Sequence, residues 1–481
     1  MATISSPGVG SGLDVNSIIT QLVAVERVPL TKLETEAKAI ETKLSTYGKV
    51  KSSISALRDA ASALTRADTW TRTTGASGNP GAVSVTTGAN TKPGNYFVQV
   101  NALAATQSNA TGVFASADAL VGEGTLTIEL GTWGAGQGTF TPKVGATAVQ
   151  IAAGPPAQSL AQLRDKINAS GAGVIASVLT DASGARLVLR SSSPGASNAF
   201  RVGVGDSDGN NSDGVGLSAL AFDPSVGIRT MAQALAAANA SATLNNLPIT
   251  SESNTLTDVL DGMTLTLNQV TSSPVLLNAA LDAPALRKSV DTFVSSYNDL
   301  NKMLGDQTKL GSAAQNATSL HGDSAAVAIR NQLRQLLGAT SAASSTFTRL
   351  SEVGFDVQRD GSITLNETKI TSALANPVEA RKVFGNVDAL VGANNGIATQ
   401  VRTMADRLLG GDGTIGTRSD GLRRNLDLNQ DRQDRLTQRI AQVEKRLRAQ
   451  YTALDRQMAQ LNSLSGYITQ QLTVFNNSGS R

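Results

Sequence analysis

Cysteine is absent from these 481 residues, and histidine occurs once, at His321. Disulfides, thiol nucleophiles and Cys/His metal clusters are thereby excluded. Aromatic residues make up only 4%, and nowhere do eighteen apolar residues follow one another, so the sequence offers no candidate membrane span. Residues 1–25 hold neither a basic n-region nor an apolar h-region, which leaves a cytoplasmic protein or one exported by a signal-independent route. The 41 basic and 38 acidic side chains nearly cancel to +3, too little for a nucleic-acid or membrane-attracting field. No G-x-x-x-x-G-K-[ST] phosphate loop and no G-x-S-x-G elbow occurs. The lone His321 reads as a capping or surface residue. Asp206 to Asn210 departs from a calcium loop at Asn211 and Leu217, so it reads as a loop of Asx turns. No cofactor, metal or catalytic residue is expected, and the protein is not expected to be an enzyme.

What is present is periodicity. Near the C-terminus, Leu436, Ile440, Val443, Leu447, Tyr451, Leu454, Met458, Leu461, Leu464, Ile468, Leu472 and Phe475 recur in steps of three and four, the spacing of a coiled-coil seam. The pattern predicts one helix over 422–475, about 75 Å long at 1.5 Å per residue, which needs a partner along its length. Ten Lys/Arg and six Asp/Glu lie between Arg418 and Arg456, yet residues 457–480 carry no charge. Gln, Asn, Ser and Thr replace the charges there, and they can be buried against another subunit more cheaply. The basic part has Tyr451 as its single interleaved aromatic residue, so no nucleic-acid surface is expected.

The N-terminal end is similar. After a Gly-rich stretch that includes Gly8, Gly10 and Gly12, Asp14 is the expected N-cap of a helix through Ile18, Ile19, Leu22 and Val25. Pro29 is expected to mark a break or a new first turn. A second run, Leu33, Ala37, Ile40, Leu44, Tyr47, Val50, Ile54, Leu57, Ala61 and Leu64, has a stammer at Leu44–Tyr47–Val50, read as a joint between rod segments. From Thr73 to Asp282 the chain turns Gly/Ser/Thr/Asn-rich, with short alternating runs between turns, the pattern of antiparallel β domains. Leu160, Leu163 and Ile167 predict a helix before a hairpin. Helical spacing returns with Leu286, Val290, Phe293, Tyr297, Leu300 and Leu304, then near Ser324–Leu337. A hairpin turns at Asp360-Gly361, and a helix split by Pro377 follows.

The fold class expected is α+β multidomain: long N- and C-terminal helices forming a coiled-coil leg, an α-rich helical bundle, and two inserted β-rich head domains. Residues 1–44 and 450–481 are assigned to the leg. Residues 45–72 and 283–449 are assigned to the bundle with its small hairpin, and 73–282 to the heads.

Specific residues carry a family resemblance. Gly10-Ser-Gly-Leu-Asp14-Val with Glu26-Arg-Val-Pro29-Leu resembles the start of the bacterial flagellar filament cap family, also called hook-associated protein 2. Pro93 to Gln107 is similar to that family's first β segment, and Leu160 to Phe200 to the flagellin hook IN motif. Leu244-Asn-Asn-Leu-Pro248 with Leu260 to Leu267, then Leu350 to Phe384 and the last helix, continue the likeness in order. The resemblance implies secretion by the flagellar type III export route to the filament tip. It also implies a homo-oligomeric ring, pentameric on the filament, that promotes flagellin folding and polymerisation and prevents subunit loss. The implied partners are the chain itself, flagellin and an export chaperone on the C-terminal helix, without nucleic acid or membrane. Candidate contact residues are Ile18, Leu22, Val25, Leu33, Ile40, Leu44, Leu454, Met458, Leu461, Leu464, Ile468, Leu472 and Phe475. The alternatives are a surface adhesin binding host mucin or glycans, and another axial component such as a hook-filament junction protein.

Overall fold

In a computed structural model, the described residues are 14–309 and 319–478, without the side chains from 475 onward. The Gly-rich stretch before Asp14 and the side chain of Phe475 lie outside them. The chain divides into two compact units, one formed by residues 1–70 and 284–481, the other by 71–283.

The first unit is helical. Helix α1 spans Val15–Thr65, capped by Asp14, whose carboxylate accepts the Ser17 N–H at 3.0 Å. The short α2, Ala67–Thr71, holds Trp70. Pro29 lies inside α1 without ending it. Its missing N–H frees the carbonyl of Val25, a residue 71% exposed, where water can replace the lost bond, while Val23 and Leu30 on either side are held by packing. The stammer does not break the helix either. Tyr47 and Val50 are buried there, where α1 meets residues 408–423.

After α3 (Leu160–Ala169), which belongs to the other unit, the helical unit resumes with α4 (Ala283–Thr308) and α5 (Ser324–Leu337). A hairpin pairs Phe355–Val357 with Ile363–Leu365. Helices α6 (Glu367–Leu374) and α7 (Pro377–Gly385) are separated at Pro377 as the sequence implies. Helix α8 (Ile397–Leu409) was not anticipated, although Ile397, Val401, Met404, Ala405 and Leu408 bury one face at helical spacing. The last helix, α9, runs Thr414–Ser478. It starts before Leu422 despite Gly416 and Gly421, because Ile415 and Leu422, two turns apart on one face, are both buried.

A row of rings anchors this core. Trp70 stacks on Phe384 at 5.5 Å, Phe384 meets Phe355 at 5.3 Å, and Phe355 meets Phe293 at 6.4 Å. Buried Trp70 donates its Nε1–H to the Leu64 carbonyl at 2.8 Å, fixing the exit from α1.

The second unit is β-rich with two hydrophobic cores. One gathers Val98, Val100, Ala242, Leu244, Leu265 and Leu277 under a five-stranded antiparallel sheet that brings Thr73–Ser77 beside Val275–Leu281. Its hairpin turns at Asn245 and Asn246, both at positive φ (49° and 67°), the left-handed pair that a two-residue turn requires. The other core seats α3 (Leu160–Ala169), whose Leu160, Leu163 and Ile167 are fully buried on Leu126, Ile128, Leu187 and Phe200. A capping box starts α3: Ser159 Oγ accepts the Gln162 N–H at 3.2 Å, and Gln162 Oε1 accepts the Ser159 N–H at 2.9 Å. The hairpin Val174–Asp181 with Gly184–Ser191 follows.

In the helical unit a single carboxylate ties three helices. Asp323, the N-cap of α5, is buried. Its Oδ1 accepts the Tyr47 hydroxyl at 2.6 Å and the Ala325 N–H at 3.1 Å, and its Oδ2 accepts Arg418 Nη2 at 2.9 Å. Burial pushes the Asp323 carboxyl up, but the bonds from Tyr47, Arg418 and the Ala326 N–H outweigh it and hold the group below the usual aspartate range. Asp323→Ala would leave the Tyr47 hydroxyl unpaired in the core and uncap α5. The expected cost is about 2–4 kcal/mol, read as a lower Tm or urea midpoint. Because the folded pKa is depressed, the carboxylate's contribution is whole above pH about 4 and is lost as pH falls through that lowered value. The stability gap between wild type and Asp323→Asn should therefore narrow below pH ~4 in acid titrations followed by circular dichroism.

Candidate assembly surfaces

Helices α1 and α9 run antiparallel. At one end, Ile19, Val23 and Arg27 face Glu444 and Arg448; at the other, Leu44 and Tyr47 face Ile415 and Ser419. At the first of these ends Val15, Ile19 and Val23 are buried against Ile440, flanked by Leu30, Leu436, Leu447 and Tyr451. The seam on α1 is thus Val15–Ile19–Val23, a plain i, i+4 series; of the run expected from the sequence Ile19 lies on it, and Ile18, Leu22 and Val25 do not. Those three sit beside the seam: Ile18 is half-buried, and Leu22 and Val25 are exposed. With exposed Val28 they leave a second apolar strip on α1. Leu33, Ile40 and Leu44 are half-buried.

On α9 the pairing stops near Tyr451, where α1 begins. Beyond it the helix continues for roughly 25 residues, about 38 Å, with its stripe turned to solvent. Leu454, Leu461, Leu464, Ile468 and Leu472 are exposed, Leu461 to 58%, and Met458 is half-buried. Tyr467 and Val474 are exposed as well. Contiguous exposed apolar side chains on this scale mark an interaction surface. No charge interrupts the strip after Arg456.

Candidate chemistry is thin. His321 is exposed in the turn before α5. Asp208 and Asp213 accept the N–H groups of Asn210 and Val215, two residues on, as Asx turns do. Among the described residues no group of three or more His, Asp or Glu is placed to hold a metal, and no helix is long and apolar enough to cross a membrane.

Comparison with known proteins agrees with the family resemblance. The family model for the flagellar hook-associated protein 2 N-terminus matches residues 11–107, and that for its C-terminus matches 237–463. The flagellin hook IN motif matches 134–193. Flagellar hook-associated protein 2 of Escherichia coli strain K12 is 32% identical over 496 aligned positions, covering 100% of both chains. The B-type flagellar hook-associated protein 2 of Pseudomonas aeruginosa is 30% identical, covering 98% of each. The crystal structure of the D1-D2-D3 domains of the flagellar cap protein FliD from Escherichia coli superposes with a TM-score of 0.64 at 28% identity, over 79% of this chain and 99% of that one. With full-length identity at this level and both terminal family models in place, the chain belongs to the flagellar hook-associated protein 2 family.

Proposed function

We propose that this protein caps the distal tip of the bacterial flagellar filament as a ring, where it promotes flagellin folding and polymerisation and keeps subunits from escaping. The observation that carries the reading is the bare, charge-free end of α9. A helix that packs on α1 as far as Tyr451 and then continues with an exposed apolar stripe, amide- and hydroxyl-bearing on its other sides, suits burial among other helices. Its occupants in this reading are sister subunits and the helical end of the growing filament. Before secretion the same strip is the segment an export chaperone covers. Residues 1–44 and 450–481 act together as the leg, with Ile18, Leu22 and Val25 on one side of it and Leu454 to Leu472 on the other. Leu33, Ile40 and Leu44 continue the first side towards the bundle.

The chemistry required is steric and electrostatic rather than catalytic. Export through a narrow channel needs an unfolded chain, and a sequence without cysteine cannot be locked by a disulfide on the way. Folding of flagellin beneath the cap needs a sheltered space and legs that yield as each subunit inserts.

Ile468→Asp tests this directly. Ile468 is exposed on a single helix, so the purified monomer should keep its Tm, with a change within about 0.5 kcal/mol. Expressed in a strain lacking its own cap gene, the variant should fail to restore filaments and should release monomeric flagellin into the medium. Full-length filaments with Ile468→Asp would overturn the reading.

A further inference from the structure

One apolar feature of the helical unit lies outside the leg. Residues 386–396, between α7 and α8, form a loop that turns Val387, Leu390 and Val391 to solvent, and Leu390 is 94% exposed. Such a loop would ordinarily be loose, yet this one is braced from inside. Asp388 Oδ1 accepts the N–H groups of Leu390 and Val391, each at 2.9 Å. Asp388 Oδ2 accepts Asn394 Nδ2 at 2.7 Å, and the Asp388 N–H donates to Asn395 Oδ1 at 2.7 Å. The base is pinched shut: the Gly396 N–H donates to the Asn386 carbonyl at 2.9 Å, and a Cβ at 396 would lie 2.4 Å from the Phe384 carbonyl carbon. The ordering entropy of binding is already spent, and a large aliphatic side chain is held up with none of the described residues over it.

At the other end of α8, about 18 Å away along its 13 residues, lies a cleft of about 340 Å³. Leu44, Leu408, Leu409 and Ile415 supply apolar walls, and Gly48 and Gly411 leave it hollow, since a Cβ at either would meet nothing within 4 Å. Its rim carries Lys51, Asp420 and Arg423. Asp420 and Arg423 pair with each other at 2.9 Å, which leaves Lys51 as the rim's net positive charge. Asp388 is the one charge in the loop, and hydrogen bonding from Asn394 and the Val391 and Leu390 N–H groups holds its carboxyl below the usual range, so it stays ionised.

We infer that the 386–396 loop of one copy seats Leu390 in the cleft of a second copy, with Asp388 facing Lys51, as a head-to-tail contact around the ring. A protruding group and its receptor at opposite ends of one rigid helix cannot meet within a chain. Repeated between copies they form a heterologous interface, the kind that closes into a ring when the rotation allows. The inference rests on the ring reading above and names the surface that reading leaves open.

The absence of cysteine makes the test clean. Full-length Leu390→Cys and Gly411→Cys proteins, mixed and oxidised, should form a mixed disulfide dimer at least tenfold faster than Leu390→Cys forms one with itself. The double variant should give a ladder of covalent oligomers. Leu390→Asp should weaken self-association about tenfold or more, as removal of a central anchor does, with Tm unchanged. Oligomers of wild-type size by mass photometry that show no preferred 390–411 crosslink would overturn the docking and leave the ring intact. A chain that stays monomeric in solution and on filament tips would overturn the ring, and the docking with it.

Discussion

The geometry of the helical unit depends on Asp323. A carboxylate this buried is tolerated only because a tyrosine, an arginine and a helix N-terminus all donate to it. The donors come from α1 and α9 and the cap from α5, so one group fixes where α1 lies along α9. Hydrophobic packing alone would allow a slip of one heptad at modest cost, since the seam repeats; the hydrogen-bonded cluster does not repeat. Register at Tyr47 and Arg418 then decides everything further along the pair. It sets Val15 near Tyr451 and thereby determines how much of α9 extends past the start of α1.

That dependence explains which parts of the structure were legible in the sequence. The long helices were visible because their apolar residues keep one period over many turns, and α3 and the 355–365 hairpin were visible because cap and turn residues sit at fixed offsets. Periodicity does not identify the partner, however. Leu447 and Leu461 belong to one series, yet the first is packed against α1 and the second is exposed. The same limit applies on α1, where the run Ile18, Ile19, Leu22 and Val25 mixes one seam residue, Ile19, with three that lie beside the seam. Pro29 was misjudged for a related reason: a local rule about a lost hydrogen bond was overruled by packing on both sides of it. The β unit shows a second limit. Strand runs could be seen, but the pairing of Thr73–Ser77 with Val275–Leu281 joins segments some two hundred residues apart, and no local signal encodes it. Helix α8 did carry its signal, and so did the hydrogen-bonding residues of the 386–396 loop, which are ordinary Asn and Asp until they converge.

Scarcity of aromatic residues shapes the cores. In the helical unit Trp70, Phe384, Phe355 and Phe293 form one continuous row, so a few large side chains bridge α2, α7, the hairpin and α4. In the β unit Trp133 packs against Phe140 and Phe222 and donates its Nε1–H to buried Gln107 at 3.0 Å. Elsewhere small residues and backbone-directed amides hold the sheets. Asn254, for example, donates to the Ala104 carbonyl at 2.9 Å and accepts the Ala104 N–H at 2.7 Å. Folding in this chain is thus concentrated at a few anchors.

The change of character along α9 follows from the same economy. Where the helix is paired with α1, its outer flank meets water permanently, and charged residues such as Asp434 and Lys445, both exposed, serve solubility at little cost. Beyond Tyr451, the surface has to remain soluble in a free subunit and, if it is buried on assembly as proposed, to suit that burial as well. Charges would satisfy the first condition and oppose the second, because each would have to be desolvated on association. An all-apolar helix would satisfy the second and drive aggregation. Gln, Asn, Ser and Thr around a leucine stripe meet both, since their hydrogen bonds can be exchanged between water and a neighbouring helix. The loss of charge after Arg456, just past the point where α1 begins, is what a helix should show if its last third is built to change partners.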